Sequence, residues 1–168
     1  MTAPRFLKKE EYALSIPLFI SCFGNDKEFM DEYYGGTVNN GRIAVIELDG
    51  RIISMVQLQP FTAVYRDRQV TVPYIMGVCT DPSHRHQGYM DALMRFCMDA
   101  LALEAYPWCF LIAVDKEIYR HLGFVFDWKL DEQEQELLFA DEGLDSASAC
   151  LISDTSWSAP LRIIQPPA

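Results

Sequence analysis

No two of the five cysteines stand in a CxxC pair; they sit at positions 22, 79, 97, 109 and 150, mostly inside apolar runs. An odd number of unpaired cysteines in such surroundings reads as free thiols serving as small hydrophobes. A reducing, cytoplasmic compartment is the expected location. Also missing is an uninterrupted apolar run of about 18 residues, so no membrane span is expected. The apolar stretch from Ala13 to Phe23 lacks the basic flank of a secretory leader, because Glu10 and Glu11 stand in front of it. Basic residues are scarce: 14 Lys and Arg face 24 Asp and Glu, a formal net charge of -10. A duplex-binding protein needs a basic face to displace counterions, so nucleic acid is not an expected partner. The same balance attracts cationic partners. GxxxxGK[ST] is absent, which excludes a P-loop.

What remains is a chain of one-domain length, 168 residues, half of them hydrophobic. Residues 8–23, KKEEYALSIPLFISCF, read as an amphipathic helix with a possible kink at Pro17. Asp26 caps a second short helix that ends at Gly35-Gly36. The period then changes. RIAVIEL from Arg42, the turn Asp49-Gly50, RIISMVQLQPFTAVY from Arg51 and VTVPYIMGVCT from Val70 predict three successive antiparallel strands, the second bent or bulged near Pro60.

Beyond residue 88, Tyr89, Leu93, Phe96, Cys97, Ala100 and Leu101 fall on one helical face, with Asp91, Arg95 and Asp99 opposite. Trp108 to Val114 reads as a buried strand, Asp115 to His121 as a short helix closed by Gly123, and Phe124 onward as one or two strands. Strand–helix–strand over 70–114 requires a crossover, hence one parallel pair in a mixed sheet. DEGLDSASAC reads as a loop, with edge strands at Leu151-Ile152 and Leu161 to Ile164.

The junction HRHQGYMDAL, residues 84–93, combines two histidines, an arginine and a glycine between a strand and a helix start. The first amides of a helix lack intrahelical acceptors and the helix dipole adds positive potential, so the turn suits an anion such as phosphate. Gly88 lets backbone approach a ligand, and Arg85 adds a cation. A plain solvent-exposed turn satisfies the same pattern. No metal is expected: His84 and His86 have no third and fourth ligand at usable spacing.

Arg85-x-x-Gly88-x-Met90, preceded by Val78-Cys79-Thr80-Asp81-Pro82, resembles motif A of the GCN5-related N-acetyltransferases, [R/Q]-x-x-G-x-[G/A]. Its last position holds Met90 in place of Gly or Ala. Ile118-Tyr119-Arg120-His121-Leu122-Gly123-Phe124 resembles the family's motif B. The resemblance spans roughly residues 5–130 and is similar to the first lobe of the Eis-like acetyltransferases. It implies an α/β (α+β) fold with a mixed, mostly antiparallel sheet flanked by helices, its parallel pair splayed at the cofactor site. The acetyltransferase domain would occupy residues 1–139. Residues 140–168 would form a tail whose edge strands complete the same domain or pair with a second copy as a homodimer.

The resemblance further implies that acetyl-CoA donates acetyl to a primary amine by direct attack in a ternary complex. Backbone near Val78, Cys79 and Thr80 would hold the pantetheine arm. Arg85, His86, Gln87, Gly88, Tyr89 and Met90 would hold the pyrophosphate, and Tyr119 would be the acid. The acceptor is expected to be a cationic small molecule or peptide, with Phe23, Tyr33, Tyr34, Phe61, Tyr65 and Trp128 available to line its pocket. The general base stays open among Glu47, Asp81, Asp115, Glu117, a water chain and the Ala168 carboxylate. Cys79 suits packing better than nucleophilic attack. The alternative function is a non-catalytic CoA-binding or interaction module.

Overall fold

The computed structural model describes residues 2–65, 67–138, 143–152 and 162–165, with backbone alone at Tyr65, Leu151 and residues 162–165. Two compact units divide the chain. The first comprises Met1–Gln59 and Met76–Asp99, the second Pro60–Ile75 and Ala100–Ala168.

The first unit holds β1 (Arg5–Phe6), α1 (Ile16–Phe23), α2 (Lys27–Gly35), β2 (Arg42–Leu48) and the start of β3 (Arg51–Tyr65). It also holds the end of β4 (Arg68–Thr80) and most of α3 (Tyr89–Leu103). Its strands run β1-β2-β3-β4, and β1-β2-β3 pair antiparallel. Asp49 and Gly50 both take positive φ, 51° and 76°, which suits the twist of a two-residue hairpin. The single helix expected over 8–23 is instead a 3-10 helix, Lys9–Ser15, followed by α1. Pro17 explains the break: without an N–H it fits the first turn of a helix and not its interior. Asp26 caps α2 by accepting the Phe29 N–H at 2.9 Å. On α3, Leu93 and Cys97 are buried while Arg95 and Asp99 are exposed, as the periodicity requires.

The second unit holds the rest of β3 and β4 with β5 (Trp108–Leu111), α4 (Glu117–Arg120) and β6 (Phe126–Lys129). It is completed by α5 (Glu132–Leu137), β7 (Ser146–Leu151) and β8 (Arg162–Gln165). β4 and β5 form the parallel pair, Tyr74 opposite Phe110 and Ile75 opposite Leu111. β8 pairs antiparallel with β3. β7 lies between β5 and β6, with Cys109 opposite Cys150 and Phe126 opposite Ala149.

SASAC is therefore a twice-paired strand and not a loop. Its small side chains explain both its loop-like sequence and its placement: Ala147, Ser148 and Ala149 are buried in a unit whose bulk comes from Trp108, Phe110 and Trp128. The segment after Trp128 also differs from the strands expected there. Asp131 accepts the Glu134 N–H at 2.9 Å and Glu134 accepts the Asp131 N–H at 3.0 Å, a capping box that starts α5. The fold is thus a mixed, mostly antiparallel sheet with one parallel pair and flanking helices.

Candidate functional site

β4 ends at Thr80 and α3 begins at Tyr89, so the loop between them starts at a strand end and finishes at a helix N-terminus. Three side chains brace it. The Asp81 carboxylate accepts the Ser83 N–H at 2.9 Å and the Ser83 hydroxyl, and lies 3.1 Å from His84 Nδ1. Those hydrogen bonds, from Ser83 first and His84 second, hold the Asp81 carboxyl down at about 2. A carboxylate so engaged is a weak base, which argues against Asp81 as the proton acceptor. Arg85 Nε donates to the Thr80 carbonyl at 3.1 Å, and Gln87 Nε2 donates to the Ser83 carbonyl at 3.3 Å.

The main chain at the end of the loop stays uncovered. Gly88 is exposed, with φ 83°, and a Cβ added to it would meet nothing within 4 Å. His86 also takes positive φ, 61°. The Ala92 N–H donates to the Gly88 carbonyl at 3.0 Å, so the turn ahead of it carries the amides that a helix leaves without acceptors. Arg85 spends one of its five donors on Thr80 and keeps its charge beside this turn. Backbone donors, positive potential and an open glycine make a fit for a diphosphate.

The preceding strand is also tied. The Ser54 and Thr80 hydroxyls lie 2.9 Å apart, and Cys22 Sγ contacts the Thr80 carbonyl at 3.7 Å. Burial first, then the neighbouring Cys22 thiol, pushes the Cys79 thiol well above its ordinary range. Cys79 is a packed thiol and a poor nucleophile. Gly77, just before Val78, has φ 57°.

Tyr119 belongs to the second unit, on the single turn α4. Its half-buried ring meets Phe124 edge-on at 6.1 Å. Gly123 behind it has φ 96°, and a Cβ there would approach Cys150 Sγ to 3.0 Å, so this turn accepts no larger residue without strain. Arg120 secures the same turn through Asp127, at 2.6 and 3.1 Å, and the Phe124 carbonyl. Val78 to Met90 thus come together in the first unit, and Tyr119 stands in the second.

The other candidates separate by burial. Tyr33, Phe61 and Trp128 are core residues, Tyr34 is half-buried and Phe23 is about half exposed. Burial pushes the Tyr34 phenol up to about 12, so it remains a hydrogen-bond donor at neutral pH. The Tyr65 side chain and Ala168 lie outside the described residues. Glu47 is engaged by Arg5 at 2.9 Å, Asp115 accepts the Glu117 N–H at 3.0 Å, and Glu117 lies 3.5 Å from Arg120. Among the described residues no group of three or more His, Cys, Asp or Glu side chains converges as a metal site. No helix among them is long and apolar enough to cross a membrane. A sequence reading overlooks Gln57, a fully buried amide in the middle of β3; its signal is a glutamine set between the apolar Val56 and Leu58.

The sequence model of the acetyltransferase (GNAT) domain matches residues 3–126, most of the chain. The chain belongs to the GNAT acetyltransferase family. Solved structures share the fold. An Escherichia coli GNAT family N-acetyltransferase, YhbS, in complex with CoA is 16% identical, with a TM-score of 0.67 over 96% of this chain and 88% of that one. A probable N-acyltransferase from Enterococcus faecalis V583 is 20% identical, with a TM-score of 0.66 over 75% of this chain and 34% of that one. Eis1 from Mycobacterium abscessus is 18% identical, with a TM-score of 0.63 over 76% of this chain and 33% of that one. The GNAT chain described here therefore spans about a third of the length of several structures it resembles, and at these identities the likeness concerns fold alone. No curated protein sequence matches it.

Proposed function

We propose that this GNAT domain is an acetyl-CoA-dependent N-acetyltransferase that acetylates a primary amine in a ternary complex. The observation that carries the reading is the uncovered turn at Gly88, braced by Asp81, Arg85 and Gln87 and continuous with the N-terminus of α3. Backbone amides from Arg85 to Met90, through His86, Gln87, Gly88 and Tyr89, with the Arg85 guanidinium, hold the coenzyme's diphosphate. Met90 costs nothing here, because a backbone N–H does the binding. The backbone of Val78, Cys79 and Thr80 orients the pantetheine arm as an added strand.

Acetyl-CoA supplies, when bound, an acyl thioester that an amine can attack. The amine must be neutral, since an ammonium ion has no lone pair. Tyr119 keeps its hydroxyl proton available to the departing sulfur, as its place in IYRHLGF suggests. The raised pKa of Cys79 speaks for direct transfer over an acyl-enzyme on that thiol. A small molecule or peptide carrying a cationic amine suits the acidic chain, whose formal charge is -10.

Thermal denaturation with and without CoA, followed by thiol release from acetyl-CoA against polyamines, aminoglycosides, amino acids and peptides, tests the reading. A rise in melting temperature with CoA and amine-dependent thiol release are expected. No shift with CoA sinks the binding assignment. A shift without turnover on any amine leaves only the non-catalytic CoA-binding module.

A further inference from the structure

Gln57 is fully buried in the middle of β3, yet its amide oxygen and its amide nitrogen each have a partner. The Tyr33 hydroxyl donates to Gln57 Oε1, and Gln57 Nε2 donates to the Tyr34 hydroxyl at 3.4 Å. The Tyr34 hydroxyl lies 2.7 Å from Ser15 Oγ, whose own proton goes to the Tyr12 carbonyl at 2.7 Å. The direction of the chain follows: Ser15 has one proton and has spent it, so Tyr34 must donate to Ser15. The lone pairs of Tyr34 are then left to accept from Gln57.

This chain ends on β4. A Cβ built on Gly77 would fall 2.8 Å from Gln57 Cδ and Oε1 and 3.2 Å from Cγ. The glutamine head therefore lies directly over the Gly77 main chain, in space that only glycine leaves free. Gly77 is also bent, with φ 57°, a conformation that L side chains rarely adopt. A flexible head could swing aside from such a contact, but Gln57 is held at both ends of its amide by two tyrosines of α2. Burying an amide also costs more than burying a methionine of similar length, so packing alone does not favour glutamine here.

The bend at Gly77 immediately precedes Val78, Cys79 and Thr80. We infer that Gln57, clamped by Tyr33 and Tyr34 over Gly77, is a positioning residue that sets the backbone of residues 78–80 for the pantetheine arm of the coenzyme. The inference rests on the proposed acetyl-CoA reading. It assigns Gln57 to the arm alone, since the diphosphate is held by the turn around Gly88.

Calorimetric titration of the whole chain with CoA and with 3′-phospho-ADP, the half of the coenzyme without pantetheine, tests it. Q57M leaves the buried Tyr33 hydroxyl without this acceptor and should melt below the wild type, bind CoA at least fivefold more weakly, and bind 3′-phospho-ADP as the wild type does. Y33F should weaken CoA binding less, and the Y33F/Q57M double variant should be no worse than Q57M, because both act through one hydrogen bond. Wild-type CoA affinity in Q57M overturns the inference. So does an equal loss of affinity for both ligands. If Q57M does not fold, Y33F titrated with the same two ligands decides: a loss confined to CoA supports the role, and equal or no loss refutes it. A wild type that binds neither ligand removes the acetyl-CoA reading itself, whereas normal wild-type binding with an unaffected Q57M removes only the role of Gln57.

Discussion

Arg85 Nε donates to the carbonyl of Thr80 at 3.1 Å, fastening the cation of the candidate anion loop to the last residue of its own strand. Guanidinium can keep that bond and still offer terminal N–H groups elsewhere, whereas a lysine head is a single point of charge. R85K therefore keeps the charge and loses the fork.

The expected result for R85K is a CoA affinity lowered by about fivefold, equivalent to ~1 kcal/mol, with little change in melting temperature. Titration calorimetry at two salt concentrations checks it. Wild-type affinity in R85K would show that charge alone suffices at this position.

Tyr119 sits on a turn fixed by Gly123 and by the Arg120–Asp127 pair, so removing one oxygen atom should not disturb the backbone. Y119F is expected to lower kcat by about 100-fold, in the range of a lost general acid, with the acetyl-CoA KM within twofold. Steady-state thiol release measures both constants. An unchanged kcat removes Tyr119 from the chemistry.

Thiol reactivity should be uneven. Cys22 is half-buried, whereas Cys79, Cys97, Cys109 and Cys150 are buried. Burial pushes Cys97 up to about 12 and Cys150 up to about 11, and raises Cys79 further, so at pH 8 little thiolate exists at those three. Titration with an aromatic disulfide reagent should show one fast thiol per native chain and five after unfolding. In C22A the fast phase should vanish.

Asp81 gives a pH signature. Its folded pKa, about 2, lies below the ordinary aspartate value, so the unfolded chain binds this proton more readily. The stabilisation is complete above about pH 5, where both states are ionised, and is lost progressively as pH falls toward 2. The difference in melting temperature between the wild type and D81N should be constant from pH 7 to 5 and shrink below about 4. A difference that persists to pH 2 would mean the carboxylate is not what braces the loop.

Much of the first unit is legible in the sequence because its signals are local. Asp49-Gly50 fixes a hairpin, Asp26 caps a helix, and the Leu93–Cys97 spacing marks the buried face of α3. The turn at Gly88 is legible for the same reason, since a glycine ahead of a helical period suffices. β7 is not, because Ala147, Ser148 and Ala149 carry no large apolar group. They become core only through the ladders to β5 and β6. Gln57 escapes in a similar way. A glutamine between Val56 and Leu58 does not say what it meets, and its neighbours, Tyr33, Tyr34 and Gly77, lie about twenty residues away in either direction.

The placement of β7 between β5 and β6 has a consequence for biosynthesis. Residues 108–111 and 126–129 are made first, yet each waits for residues 146–151 to hydrogen-bond its facing edge. Until that late segment emerges from the ribosome, Trp108, Phe110 and Trp128 lack their finished surroundings, and two strand edges stand open to other chains. A polypeptide cut at residue 139 would keep everything the family model matches and still present those edges. Aggregation of such a fragment, beside a well-behaved full-length chain, is the outcome this strand order leads us to expect.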